Sequence, residues 1–252
     1  MFMRLVNLKV KEGRLNDFAR FYEERTIPAL QDVKGCLYAS LLKPTDDDVE
    51  CVSMTMWRRR EDVDAYEKSG LYDELLDEMD DMMAEVVEWK VASAGQSKRD
   101  LHLLQDPDVE AYPVEVAGIG EVVDADVSRH FFVRLVSARI QTGRFDELKE
   151  RYDQEVKPVL MATKGCRAVF LVENTKTQAR ALSVTVWDSE EAAIRFELSG
   201  AFDEATAKVS EFFSGLYQWR LSLSPTEERR SISGKDLDVR SFQVVTGKRM
   251  GS

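Results

Sequence analysis

Histidine is scarce: His102 and His130 are the only two in 252 residues. No cluster of His and carboxylates falls at metal-ligand spacing, and no CxxC pair, glycine-rich phosphate loop or nucleophile elbow occurs. Gly118-Ile119-Gly120 is too short for a dinucleotide fingerprint. No segment approaches the ~18 consecutive apolar residues of a membrane span. The N-terminal stretch MFMRLVNLKV has no basic region leading into an apolar run, so no secretory signal is expected. Cysteines number three, and Cys36 and Cys166 hold equivalent places, which suits small buried residues better than a disulfide. A reducing, cytoplasmic setting follows. Positive charge is in deficit, with 35 Lys and Arg against 46 Asp and Glu, a net charge of −11. That argues against a nucleic-acid partner, which needs a basic face to neutralise phosphates.

What the chain does contain, it contains twice. Ser53, Thr55, Trp57, Glu61, Glu67 and Ser69-Gly70 recur as Ser183, Thr185, Trp187, Glu191, Glu197 and Ser199-Gly200. The alignment holds without a gap from Met3 to Val91, with roughly a quarter of positions identical, which marks an internal duplication. A chain of this length accommodates two domains of about 100 residues each plus connections. Residues 1–95 form the first module, 96–128 a connection, 129–224 the second module and 225–252 a tail.

Each module reads as β-α-β-β-α-β. Residues 2–10 alternate, with Phe2, Arg4, Val6 and Leu8 on one face and Met3 and Leu5 on the other. Gly13-Arg14 then opens a helix whose stripe is Leu15, Phe18, Tyr22 and Leu30, with Pro28 placed to kink it or restart a last turn. Strands follow at 37–43 and 50–57, then a helix from about Glu61 that should break at Ser69-Gly70. The fourth strand is expected at Trp89 and Val91, and at Trp219 and Leu221 in the second copy. One more short strand is expected after each module, near 113–118 and 241–247. The fold class is therefore α+β, two ferredoxin-like sandwiches. A bare four-stranded sheet leaves an apolar face open, so the two sheets should pack as a barrel within one chain, the extra strands passing between them. Such a pseudo-dimer is expected as a monomer, or as a homodimer of pseudo-dimers.

These features resemble the antibiotic-biosynthesis monooxygenase superfamily of dimeric α+β barrels, which includes quinol oxygenases and haem-degrading enzymes. The resemblance rests on the element order, on Gly35-Cys36 opening the second strand, and on Met56-Trp57 followed by a helix bearing Ser69. It covers about 3–91 and 133–221. It implies a ligand pocket between sheet and helices, with Trp57 and Trp187 at the strand ends. The helix position nine residues on, often His or Trp in that family, is Tyr66 and Phe196 here. Where haem-degrading members place an axial histidine, this chain has Leu76 and Thr206. Haem degradation by that route is not expected.

Arg4 and Arg134 are the polar exceptions on the helix-facing side of their strands. A guanidinium there must be paired or solvated, either holding an anionic or quinone-like oxygen, or else reaching a carboxylate or carbonyl at the sheet edge or snorkelling from the strand's first turn. Trp57, Tyr66 and Tyr72, with Trp187, Phe196 and Phe202, make either an aromatic box for a flat ligand or ordinary core. Tyr22 and Tyr152 recur on the first helix of each copy. The run of Asp73, Glu74, Asp77, Glu78, Asp80, Asp81 and Glu85 is not kept in copy two and reads as a solvated face. The reading is a cofactor-independent monooxygenase acting on a small quinol- or anthrone-like aromatic, with no cofactor and no metal. Tyr22, Tyr66 and Tyr72 are its proton donors or acceptors, and Arg4, Trp57, Arg134, Tyr152, Trp187 and Phe196 bind substrate. The competing reading is a non-catalytic binding or structural module. Because copy two has lost two hydroxyls, at Phe196 and Phe202, copy one is the expected active half.

Overall fold

β1 (Phe2–Lys9) buries both of its faces, which explains why apolar side chains occur on each of them. Arg4, Val6 and Leu8 lie against the helices, while Met3 and Leu5 point into a second core on the other side of the sheet. The computed structural model describes residues 1–45, 50–84, 108–120, 131–173, 180–214 and 238–250. In the first half β1 is followed by α1 (Leu15–Phe21), a π-helical turn (Tyr22–Thr26), α2 (Ile27–Gln31), β2 (Cys36–Pro44), β3 (Glu50–Trp57), α3 (Arg60–Lys68), α4 (Leu71–Met79) and β4 (Asp108–Ile119). The second half repeats this as β5 (Phe132–Arg139), α5 (Phe145–Arg151), a π-helical turn (Tyr152–Val156), α6 (Lys157–Ala162), β6 (Cys166–Glu173), β7 (Arg180–Trp187), α7 (Glu190–Leu198), α8 (Ala201–Val209) and β8 (Asp238–Arg249).

The eight strands form one closed antiparallel barrel in the order β1-β3-β2-β8-β5-β7-β6-β4. Met3, Leu5, Met54 and Met56 from the first half and Val133, Leu135, Phe170 and Val184 from the second fill its interior. The expected α+β duplication with an internal barrel is the observed architecture. Its fourth strands differ in placement from the expectation. Asp108 to Pro113 pair with β1, the ferredoxin-like fourth position, and Val114 to Ile119 continue onto β6 of the other half. β8 likewise joins β5 to β2. Each of these strands, at 12 residues, is long enough to span both sheets. Trp89, Val91, Trp219 and Leu221 lie outside the described residues, as do His102 and His130.

Proline decides the shape of the first helix. Pro28 has no N–H to give, and the turn ahead of it widens so that Ile27 N–H bonds the Tyr22 carbonyl; Lys157 N–H and Tyr152 repeat this before Pro158. The expected break at Ser69-Gly70 is present. Ser69 Oγ donates to the Tyr66 carbonyl at 2.7 Å, and Gly70 takes a left-handed conformation (φ 79°) that turns the chain into α4. Glu74 and Glu78 of the acidic run are exposed, and both pair with Arg25. Cys36, Cys51 and Cys166 are buried and form no disulfide. Among the described residues no helix is long and apolar enough to cross a membrane.

Candidate active site

Each half encloses a cleft between the helix-facing side of its sheet and the paired helices. In the first half it is lined by Arg4, Tyr22, Ser53, Tyr66, Tyr72 and Met79 among others. In the second half the equivalent lining includes Arg134, Tyr152, Ser183, Trp187, Phe196 and Phe202. The expected site residues are therefore gathered into two equivalent places. Arg4, Tyr22, Tyr66 and Tyr72 line the first cleft, and Arg134, Tyr152, Trp187 and Phe196 the second. Trp57 packs behind the first cleft against Tyr66, ring centroids 5.1 Å apart.

The arginines are almost fully buried, at 3% exposure for Arg4 and 6% for Arg134. Arg4 Nε donates to Glu67 Oε1 at 3.1 Å, and Arg134 donates to Glu197 Oε2 at 2.9 Å. Of the two expected explanations for a guanidinium here, the carboxylate partner is present in both halves. It satisfies only part of the group, since one terminal nitrogen of Arg4 and Nε of Arg134 have no hydrogen-bond acceptor. Glu67 and Glu197 are site residues that the sequence reading does not single out, although they recur in step with the arginines. Their joint retention is the available signal, but 63 positions of sequence separate each pair.

The tyrosines of the first helices are tied down. Tyr22 Oη shares a hydrogen bond of 2.8 Å with Ser53 Oγ and donates to the Ser40 carbonyl, while Tyr152 Oη lies 2.6 Å from Ser183 Oγ. Burial pushes both phenols well above their ordinary pKa, against the smaller lowering by the serine hydrogen bond. Burial raises Tyr66 too, with the Arg4 charge opposing it. These three phenols therefore stay protonated at neutral pH. The tryptophans are anchored from behind, Trp57 Nε1 on Thr55 Oγ1 at 2.8 Å and Trp187 Nε1 on Thr185 Oγ1 at 2.9 Å.

Room is distributed unequally. The second-half cavity measures about 80 Å³, the first-half one about 30 Å³. The roomier cleft is thus in the second half, whereas the sequence reading expects the first half to be the active one. The hydroxyl-bearing rings that suggested it consume space: the Arg4 guanidinium sits 4.3 Å from the centroid of the Tyr72 ring and 5.8 Å from that of Tyr66. Longer aliphatics add to this. Leu8, Leu75, Leu76 and Met79 line the first cavity where Ala138, Ala205, Thr206 and Val209 line the second.

Two ferredoxin-like modules whose strands close one eight-stranded barrel, each with an arginine-bearing cleft under its helices, define a duplicated α+β-barrel protein. The chain belongs to the antibiotic biosynthesis monooxygenase family, whose sequence model matches residues 1–78 and again 131–208. Comparison with curated proteins finds no match. Among solved structures it is similar to a candidate monooxygenase of Lactobacillus acidophilus NCFM, with TM-score 0.67, 10% identity and coverage of 99% of this chain and 96% of that one. A candidate monooxygenase of Fusobacterium nucleatum gives TM-score 0.67 at 9% identity, covering 100% and 95%. An anthrone oxidase-like protein gives 0.59 at 12% identity, covering 100% and 94%. At such identities the likeness concerns the fold.

Proposed function

We propose that the chain is a cofactor-independent monooxygenase for a small hydroxylated aromatic, acting in the second-half cavity. The observation that supports it most is Arg134, a buried guanidinium with an unfilled N–H in a wall built largely of apolar and aromatic side chains. A flat ring stacks against such a wall while its oxygen takes the guanidinium. Low local dielectric strengthens that contact, and the guanidinium charge favours the ionised phenol against the cost of desolvation. Of the two expected substrate types, a single-ring hydroquinone suits about 80 Å³ better than a three-ring anthrone.

In this reading Arg134 holds the quinol oxygen as it ionises, and the proton passes to Glu197, which is half exposed and can release it to water. The electron-rich ring anion forms a C–O bond with dioxygen. Cleavage of the O–O bond then expels one oxygen as water and leaves the other on the ring. Quinol plus O₂ thus gives hydroxyquinone plus water, the ring supplying the four electrons. The cavity contributes orientation and exclusion of bulk water. Oxygen uptake over a panel of hydroquinones and anthrones tests this, with Arg134→Met and Trp187→Ala alongside. Expected is one O₂ per hydroquinone, reduced at least tenfold in Arg134→Met. No uptake anywhere in the panel would overturn it.

A second reading, a non-catalytic binder, is favoured by Phe196 and Phe202, which remove two hydroxyls from the roomier half, and by the Tyr152 hydroxyl being engaged with Ser183. Binding of a hydroquinone without oxygen consumption would establish it.

A further inference from the structure

The duplication left two clefts with the same polar core. In each, an arginine on the first strand is paired with the glutamate of α3 or α7 and keeps one N–H unfilled, and a tyrosine is bound to a serine. Four lining positions differ in one direction only: Leu8, Leu75, Leu76 and Met79 become Ala138, Ala205, Thr206 and Val209. A cavity needs roughly 10–15 Å³ to hold one water. The first cleft, at about 30 Å³, has room for a water or two, and the second, at about 80 Å³, is more than twice as large. In the first half the face of the Arg4 guanidinium is also already covered, by the ring of Tyr72 at 4.3 Å.

We infer that the two halves have divided their labour: one single-ring phenol or hydroquinone binds per chain, in the second half, and Ala138, Ala205, Thr206 and Val209 set the size of guest it admits. The first half is a filled copy that completes the barrel. This rests on reading the second cavity as a ring-binding site, but it does not require oxygenation. The division has a physical basis in close packing. A core position filled by Leu or Met leaves no space larger than a solvent molecule, while Ala and Val at the same register do. One consequence is that the halves can be interconverted by exchanging side chains without touching Arg4, Arg134 or their glutamates.

The test is binding of 4-fluorophenol to the full-length chain, followed by ¹⁹F NMR and calorimetry. The unmodified protein is expected to take one molecule per chain, with contacts from the ring to the methyls of Ala205 and Val209 and none to Leu75. The double variant Ala205→Leu with Val209→Met is expected to lose at least tenfold in affinity. The reciprocal Leu75→Ala with Met79→Val is expected to add a second site. Two equal sites in the unmodified chain, contacts to Leu75, undiminished binding in the filled variant, or no binding at all would each overturn the inference. Stoichiometry and contacts in the unmodified chain decide the question even if a filled variant does not fold. Tight binding at one site without oxygen uptake would refute the monooxygenase reading alone; uptake with two equal sites would refute the division alone.

Discussion

Arg134, which lines the second cleft, meets Glu197 at 2.9 Å, and Arg4 of the first cleft repeats the contact with Glu67 at 3.1 Å. The arginines are buried and the glutamates half exposed, so solvent screens one end of each pair. Glu67→Gln and Glu197→Gln should therefore each cost only about 0.5–1 kcal/mol, well short of the loss from breaking a fully buried pair. Urea unfolding at low and high salt checks this; the difference from the unmodified protein should shrink as salt rises.

Tyr22→Phe and Tyr152→Phe remove hydroxyls that hold the start of each widened turn to the sheet. Each should cost about 1 kcal/mol, and Tyr22→Phe the more, because its hydroxyl also serves the Ser40 carbonyl. Denaturant midpoints decide the ranking.

Glycine to alanine should separate two kinds of turn. Gly35 has φ +87°, and an added Cβ would fall 2.4 Å from Asp62 Cγ, whereas Gly70, φ +79°, has nothing within 4 Å. Gly70→Ala should show only the left-handed penalty of about 1–2 kcal/mol. Gly35→Ala adds a clash and should lose clearly more, measured by thermal unfolding.

Stability should fall on the alkaline side. Burial raises the thiols of Cys36 and Cys166 from 9.0 to about 12 and raises the phenols of Tyr22, Tyr66 and Tyr152 above 10.0. The folded state therefore keeps protons that the unfolded chain releases. The stabilisation is complete below pH 9 and is lost as pH rises, from about 9 for the thiols and 10 for the phenols, at up to about 1.4 kcal/mol per pH unit per group. Urea unfolding between pH 7 and 11 should give a plateau and then a steep decline, shallower in Tyr152→Phe.

Deleting residues 238–252 removes β8, the strand that joins β2 to β5 and brings Phe242 and Val244 into the barrel interior. The shortened chain should bind a hydrophobic dye or associate, because two strand edges and an apolar interior are opened. A dye-silent monomer would contradict the single-barrel account.

Much of this is legible in the order of residues. Alternation in β1 marks both of its buried faces, Pro28 and Gly70 mark where helices change course, and Leu5 with Leu135 signals that the sheets must cover one another. The residues of the two clefts are legible as well, because the duplication underlines Arg4 with Arg134 and Tyr22 with Tyr152. The Arg–Glu pairing is not. Helix α3 brings Glu67 to β1 only after the module has folded, and no local spacing encodes that approach. Of the long strands only 113–118 and 241–247 are read as strand, since a strand that crosses from one sheet to another carries no single alternating pattern.

By itself the sequence determined the duplication, the α+β modules and the residue types that line each cleft, because repeats, periodicity and residue type are local properties of a chain. Tertiary structure alone decided that β4 and β8 weld the halves into one barrel, and that the hydroxyl-poor half holds the larger cavity. Room is what remains after side chains from β1, α4 and their neighbours have packed. A string of residues does not state a volume left between them, and there the shorter side chains of the second half outweighed the richer polarity of the first.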